Sequence, residues 1–412
     1  MLFPLLHPQE IARARPSSVS AKSLAILAAG FLAAVSLAYG QSQTFSSGST
    51  GADGALSFTT AGTYFFDPTT IPNHQAGDTI FNFTTITIAS GVTVRLDSRN
   101  LPGPVYWLAT GAVQIAGILD LSGLPGHNPT GNLSDRAYST PGAGGFAGGP
   151  GGGANAAPQA GSGPGRGAAS GGGSPGGGGS FSGSQYLIPL VGGSGAGGSF
   201  CDRNPFSSGG GAGGGAVLIA SSSSIVVAGA IGADGGPGGS SDSHCVSAGA
   251  GGSGGAIRLM APSITISGYV SARGPGGGGN GFIRFETFQL NCPGNCVNGT
   301  PNTASLPFKV SLPTGPISSV KVTSVAGISV NANPFSFPDA IINSSSPVPV
   351  VVTTQGIPPG AIPTLYITSE QGADQIIAGP PLAGTVQSAT STVNVPFPPN
   401  GSRGLVRVTW SQ

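Results

Sequence analysis

Charge is what this sequence lacks most. Only 7% of its 412 residues are charged, against roughly 25% in ordinary globular proteins. Three lysines and a formal net charge of +1 provide no basic surface, so we expect neither nucleic acid nor an anionic membrane surface as a partner. Disorder driven by charge is excluded too, because 38% of the residues are hydrophobic.

Helix-forming residues are also scarce. Gly (74) and Pro (36) together make up about 27% of the chain, and both residues penalise helices. The composition therefore predicts an all-β protein with many loops.

The N-terminus has the pattern of an export signal. Arg13, Arg15 and Lys22 precede an apolar run over 24–38, and small residues at Ala38 and Gly40 suit signal peptidase. The apolar run is shorter than the ~20 residues that span a bilayer, so cleavage is favoured over a membrane anchor. We expect a signal peptide over 1–40, a secreted or cell-surface location, and no transmembrane segment in the mature chain.

The four cysteines are Cys201, Cys245, Cys292 and Cys296. An even number in an exported chain indicates disulfides. A Pro-Gly turn can bring Cys292 and Cys296 together, which leaves Cys201 to pair with Cys245. Zinc is disfavoured because no second close Cys pair and no His lie at ligand spacing.

A repeated strand pattern occupies the middle of the chain. Residues 83–88 and 92–97 alternate apolar and polar side chains, which is typical of strands with one buried face. Units this short must stack to bury that face. Three later segments match one another, and each follows an apolar strand: 115–123 after 105–108, 227–235 after 216–219, and 266–274 after 256–259.

Stacking of these units predicts a parallel β-solenoid with columns of buried residues. An antiparallel barrel of hairpins is the alternative, and it is disfavoured because two-residue Asn-Gly turns are missing between these strands. The alignment also places Asp234 beside Arg273 as an exposed ion pair. The predicted columns are Ile115, Val227, Ile266; Leu119, Ile231, Val270; Leu121, Ala233, Ala272; and the corner glycines Gly117, Gly229, Gly268.

Glycine tracts at 141–180, 192–215 and 235–255 interrupt the repeat. The composition favours long flexible loops. Packed polyproline II strands are the alternative, because glycine permits close approach of backbones.

From about residue 305 glycine becomes rarer and short apolar runs recur between Pro and Gly turns. Roughly seven strands in this span predict an immunoglobulin-like β-sandwich. The expected order is a β cap over 41–76, a solenoid over 77–296, a linker over 297–306 and the sandwich over 307–412. The apolar runs are at 308–310, 320–322, 348–352, 365–367, 393–395 and 405–408.

The stretch 86–123 and the Gly-Gly-Gly-Ala-Val-Leu-Ile and Gly-Gly-Ala-Ile-Arg-Leu units starting at Gly213 and Gly254 resemble bacterial exported Gly-rich β-repeat proteins, a parallel β-helix class loosely compared to adhesins. The resemblance covers roughly 77–290. It implies an architecture and carries no functional residues over.

Groups that could perform catalysis are scattered along the chain. A glycosidase needs two carboxylates facing one sugar, but Asp97, Asp120 and Asp234 are isolated, and Glu286 and Glu370 fall in different predicted domains. The histidines outside the signal, His74, His127 and His244, each lie alone among turn-forming residues. We therefore predict no catalytic residue, no cofactor and no metal site.

These patterns favour a non-catalytic structural or adhesin-like protein that binds through its solenoid loops. Glycans or cell-surface components would be its partners. The alternative is a carbohydrate-active enzyme or carbohydrate-binding protein on a β-helix scaffold, which carboxylates converging in a groove would favour. Loop aromatics that could make such contacts are Phe146, Phe181, Tyr186, Phe200 and Phe206.

Overall fold

The fold is seen in a computed structural model. It describes residues 44–130, 133–153, 156–171, 175–201, 207–240, 248–313, 318–330, 339–369, 374–397 and 404–411. The predicted signal peptide, Phe206, His244, Cys245 and Glu370 lie outside these ranges. From Phe45 onward the chain forms one compact unit. In the described ranges no helix has the length and hydropathy needed to cross a bilayer.

In the part of the chain that the structure describes, regular structure is almost entirely β, as the composition predicts. Two short 3-10 helices in this part, Pro68–Thr70 and Leu133–Arg136, lie in connections. The first strands are β1 (Leu56–Phe58), β2 (Gly62–Phe65), β3 (Ile80–Phe83), β4 (Ile86–Ile88), β5 (Val92–Arg95), β6 (Val105–Ala109), β7 (Val113–Ile115), β8 (Ile118–Asp120) and β9 (Ala216–Ser221). Next come β10 (Ser224–Val227), β11 (Ala230–Gly232), β12 (Ala256–Met260), β13 (Ser263–Ile266), β14 (Tyr269–Ser271), β15 (Phe282–Glu286), β16 (Gln289–Asn291), β17 (Val297–Asn298) and β18 (Thr300–Ala304).

These strands form three parallel sheets, and each coil of the chain adds one strand to every sheet. Within the described residues each sheet has six strands, so the chain makes six coils. The predicted parallel β-solenoid is thereby confirmed. The strand orders are β1-β4-β7-β10-β13-β16 in sheet 1, β2-β5-β8-β11-β14-β17 in sheet 2 and β3-β6-β9-β12-β15-β18 in sheet 3.

The predicted columns fill the solenoid interior. Val227 lies in register with Ile115 and Ile266, and Ile231 lies in register with Leu119 and Val270. Members of all three apolar columns belong to one buried cluster. The fourth column must be glycine, because a Cβ on Gly229 would lie 1.9 Å from the carbonyl oxygen of Gly117.

The solenoid extends beyond its expected limits of 77 and 296. β1 and β2 lie within the expected cap and pair with β4 and β5 of the next coil. β17 and β18 lie within the expected linker and pair with β14 and β15. The sequence pattern is weak there because strands at the ends of a stack are more exposed, as in β18.

The glycine tracts are ordered, so the expectation of flexible loops is wrong for their described residues. The backbone N–H groups of Phe146, Gly149 and Gly152 donate to the carbonyls of Gly193, Ala196 and Ser199 at 2.8–3.0 Å. The N–H groups of Ser207, Gly210 and Gly213 in turn donate to the carbonyls of Gly152, Gly149 and Phe146, so the bonded positions are again three residues apart. A repeat of three with hydrogen bonds only between segments is the geometry of polyproline II.

We call this assembly the glycine bundle. The innermost segments, 192–199, 207–215 and 249–255, contain only Gly, Ala and Ser. Their buried serines bond inside the assembly; Ser253 Oγ, for example, accepts from the N–H of Ser194 at 2.8 Å. The bundle comprises the segments 121–127, 142–153, 156–171, 175–180, 192–199, 207–215, 233–239, 249–255 and 275–281.

The C-terminal region consists of antiparallel strands. In its described part, sheet 4 has the order β20-β19-β21-β25-β24 and sheet 5 the order β23-β22-β26. Val350, Val352 and Val393 of sheet 4 share a buried cluster with Leu365 and Ile367 of sheet 5, so the two sheets pack face to face. The strands are β19 (Ser319–Val325), β20 (Ile328–Ser329), β21 (Val348–Gln355), β22 (Ile362–Ser369), β23 (Gln375–Ala378), β24 (Ala383–Gly384), β25 (Ala389–Val395) and β26 (Gly404–Ser411).

One expected strand is missing from the C-terminal region. Residues 308–310 form no strand. Val310 and Leu312 instead pack against the outer face of sheet 3, in a cluster with Leu187 and Leu218. This run is apolar because its side chains are buried against sheet 3, and it does not form a strand.

Candidate functional site

The cysteines are placed largely as expected. Cys292 and Cys296 form a disulfide, with their Cα atoms 5.8 Å apart. Cys201 is disulfide-bonded as well. Because Cys245 lies outside the described residues, the pairing of Cys201 with Cys245 stays a prediction.

The isolated aspartates on the solenoid have structural partners. Arg95 lies between two of them, with its Nε 3.7 Å from Asp97 and its Nη1 2.5 Å from Asp120. Asp234 accepts hydrogen bonds from Ser271 Oγ at 2.5 Å and from the backbone N–H of Arg273 at 2.6 Å. The expected ion pair is therefore wrong: Asp234 and Arg273 are neighbours, but the contact uses the backbone and not the guanidinium.

Glu286 is part of a buried charge cluster on the outer face of sheet 3. Its carboxylate accepts from Arg258 Nε at 2.9 Å and from Arg284 Nε at 2.7 Å. It also accepts from the backbone N–H of Phe308 at 3.0 Å. All three charged side chains are covered by other parts of the chain, so this cluster supports packing and faces no groove.

The described histidines differ in their surroundings. His74 lies between Asp53 and Asp78, each 3.1 Å from one ring nitrogen. Burial lowers the pKa of His127, and the nearby Asp135 opposes this shift. Three or more His, Cys, Asp or Glu side chains that could hold a metal ion do not occur together in the part of the chain that the structure describes.

Two of the predicted loop aromatics lie beside sheet 3. Phe181 packs against Phe282, with ring centroids 5.6 Å apart, and it belongs to the outer cluster of sheet 3. Tyr186 is 56% exposed, and the guanidinium of Arg284 lies 5.4 Å from its ring centroid. Phe146 and Phe200 are half-buried. Among these, Tyr186 presents the most open aromatic surface.

A cleft of about 470 Å³ lies between the glycine bundle and the C-terminal sheets. Tyr138, residues 156–161 and Arg166 form one wall. Tyr366, residues 374–376 and Arg407 form the other. This cleft is the candidate functional site, because it combines two aromatic rings with several hydrogen-bonding side chains.

Arg407 occupies the centre of the cleft. Its guanidinium carbon lies 4.0 Å from the ring centroid of Tyr138 and 5.2 Å from that of Tyr366. Its Nη2 donates to Ser162 Oγ at 2.9 Å. Such stacking fixes the planar guanidinium and leaves it with further donors. Burial raises the pKa of Tyr138, against the opposing charge of Arg407, so this phenol stays protonated at neutral pH.

A buried ion pair holds one edge of the cleft. Arg136 is 1% exposed, and its Nη2 and Nη1 lie 2.5 and 3.2 Å from the two carboxylate oxygens of Asp374. Arg136 Nη2 also donates to the carbonyl of Ala157 at 3.3 Å. This fork-to-fork geometry ties the bundle wall to the start of β23.

Sequence reasoning missed this site. Tyr138, Tyr366 and Arg407 lie far apart in the chain and in different predicted domains. The available signal was local: Asp135-Arg136-Ala137-Tyr138 is a charged and aromatic group within a segment otherwise rich in Gly, Ser and Pro. The chain matches no protein-family model, no curated protein and no solved structure.

Proposed function

We propose that this protein is a non-catalytic, secreted or cell-surface, adhesin-like protein, and that its cleft binds glycans. We also propose that the chain is related to exported Gly-rich β-repeat proteins and that its C-terminal sheets form an immunoglobulin-like sandwich. The strand order β19-β21-β25-β24 supports the second point, because it matches the A-B-E-D order of immunoglobulin domains.

The observation that carries the proposal is the stack of Tyr138, Arg407 and Tyr366 in the cleft wall. A sugar ring has an apolar face that packs on aromatic surface and a rim of hydroxyls that both donate and accept. Arg166 and Arg407 supply donors. The acceptor oxygens of Asp374 and Gln159 already accept from Arg136 and from the Tyr138 hydroxyl, and each can accept a further hydrogen bond through its second lone pair. Pockets that recognise small ligands combine such a surface with a few placed polar groups.

The carbohydrate-active alternative, in the form of glycoside hydrolysis, requires a second carboxylate across the cleft. Asp374 is the acidic side chain in the cleft's described lining, and Arg136 already engages both of its oxygens. The cleft therefore favours binding over hydrolysis. Incubation with the polysaccharides that bind, followed by analysis of reducing ends, separates the two functions.

Binding is tested with the mature chain on a glycan array, followed by calorimetry on the glycans retained. We expect Arg166→Ala to weaken binding several-fold without changing the melting temperature, because the side chain of Arg166 is exposed. Arg407→Met should weaken binding at least ten-fold, since it removes the central planar donor.

Arg273→Met is the matched control, because Arg273 is exposed on the solenoid away from the cleft. The glycan affinity of the Arg273→Met variant should equal that of the unchanged protein. Retention of no glycan, or equal affinity in the Arg166 and Arg407 variants, would rule out the cleft as a glycan site.

A further inference from the structure

The glycan cleft carries more positive than negative charge. Its described lining holds the guanidinium groups of Arg166 and Arg407 and one carboxylate, that of Asp374. The other described lining residues are uncharged. The sign of this excess bears on the choice of ligand, because a site of one charge attracts ligands of the opposite charge and rejects those of its own.

The charge of Asp374 is compensated within the protein. Arg136 Nη1 and Nη2 lie 3.2 and 2.5 Å from its two carboxylate oxygens. The Arg136 side chain is fully buried and that of Asp374 is 20% exposed, so this pair of one cation and one anion is neutral as a unit. The charges of Arg166 and Arg407 are therefore in excess.

One further carboxylate lies near this pair. Asp135 is 2% exposed and does not belong to the described lining of the cleft. It accepts from the N–H and from Oγ1 of Thr130 at 2.5 and 2.7 Å. With Asp135 counted as well, three guanidinium groups stand against two carboxylates, and the site keeps a net charge of +1.

Arg407 is the better placed of the two excess cations. It is half-buried against the rings of Tyr138 and Tyr366, and a cation partly shielded from water attracts an anion more strongly than a fully solvated one. Among the described residues it forms no ion pair. Its hydrogen bond to Ser162 leaves further N–H donors of the guanidinium for a ligand. Arg166 is exposed and adds a weaker, solvent-screened attraction.

We propose that the glycan cleft selects acidic glycans, and that the guanidinium of Arg407 holds a uronate carboxylate while the sugar ring packs on the tyrosine rings beside it. A planar guanidinium matches a planar carboxylate through two parallel hydrogen bonds. This inference rests on the proposed glycan-binding function and adds the charge of the ligand to it. A sulfate ester would bring the same charge with a different shape, so it is included in the test.

The probes are trigalacturonate, its methyl ester and a sulfated galactotriose, and calorimetry on the full mature chain measures their affinities. Methyl esterification removes the charge and keeps the ring and its hydroxyls. We expect the ester to bind about ten-fold more weakly than the acid, the order expected for hydrogen bonds to a charged group. The affinity for the acid should fall as salt rises, and the affinity for the ester should not.

Variants are compared by the ratio of acid affinity to ester affinity, which a general loss of glycan binding does not change. Arg407→Met should lower this ratio several-fold, and Arg407→Lys should restore part of it, because the charge returns without the planar fork. Arg166→Ala should lower the ratio only about two-fold, as for an exposed charge pair. Arg273→Met is the matched control and should leave the ratio unchanged. Melting temperatures show that each variant is folded.

Equal affinity for acid and ester, with both reduced in Arg407→Met, would overturn the acidic preference and leave the cleft a glycan site. Binding of the acid that is unchanged in both the Arg407 and the Arg166 variants would overturn this inference and the proposed function together. Tighter binding of the sulfated sugar than of the uronate would overturn the assignment of a carboxylate to Arg407.

Discussion

At many positions of the glycine bundle there is no room for the methyl group of an alanine. A Cβ on Gly213 would lie 1.9 Å from the carbonyl oxygen of Gly193, and one on Gly195 would lie 2.0 Å from that of Ala147. These distances are too short for any side chain, so backbones pack directly on backbones. The high glycine content is thus a packing requirement of the fold.

Gly213→Ala should destabilise the protein by about 1–3 kcal/mol or more, because overpacking forces the backbone to move. Gly171→Ala is its control: Gly171 is exposed, and a Cβ there would meet nothing within 4 Å. Chemical unfolding of the two variants measures the difference. Equal stability of the two variants would contradict direct backbone packing at Gly213.

Among the elements, the central strands of sheet 3 are buried on both faces. Every residue of β6, β9 and β12 is buried. Trp107 and Ile219 face the solenoid interior, while Leu218 and Met260 face an outer cluster covered by Leu187 and other residues. The outer face also holds the charge cluster of Glu286 with Arg258 and Arg284.

Glu286→Gln should destabilise the protein by about 3–5 kcal/mol, because it leaves two buried guanidinium groups without their carboxylate. Asp120→Asn is the comparison, since the Arg95–Asp120 pair retains 14% and 22% exposure and should cost less. Urea unfolding gives both values. A loss for Glu286→Gln no larger than that for Asp120→Asn would show that the buried cluster is not critical.

The sequence predicts the coils well and their surroundings poorly. Columns such as Leu119, Ile231 and Val270 could be predicted because identical local patterns repeat at matching positions. The bundle could not, because the alternating register of Gly193 with Phe146 and Gly214 depends on contacts between distant segments. The glycan cleft was unpredictable for the same reason, as Tyr138 and Arg407 meet only after both regions have folded.

At the scale of the whole molecule, the C-terminal sheets are attached through a few specific contacts. The pair of Arg136 with Asp374 is the most buried of those across the cleft, with side-chain exposures of 0% and 20%. Arg407 adds its contact with Ser162. These contacts fix the width of the cleft.

Asp374→Asn should destabilise this attachment by about 1.5–3 kcal/mol, the contribution of a hydrogen bond to a charged group. In calorimetry the C-terminal sheets should then melt at lower temperature than the solenoid. Asp339→Asn, at an exposed position, should leave the thermogram unchanged. Identical thermograms for both variants would show that the ion pair does not hold the two regions together.

The three-residue hydrogen-bond repeat of the glycine bundle also restricts changes in chain length. One residue added to segment 192–199 would rotate all following N–H groups by a third of a turn, toward different neighbouring segments. Three added residues would restore the original directions. Insertions and deletions in these segments should therefore be tolerated in multiples of three residues, a periodicity of permitted length changes that comes from the three residues per helical turn.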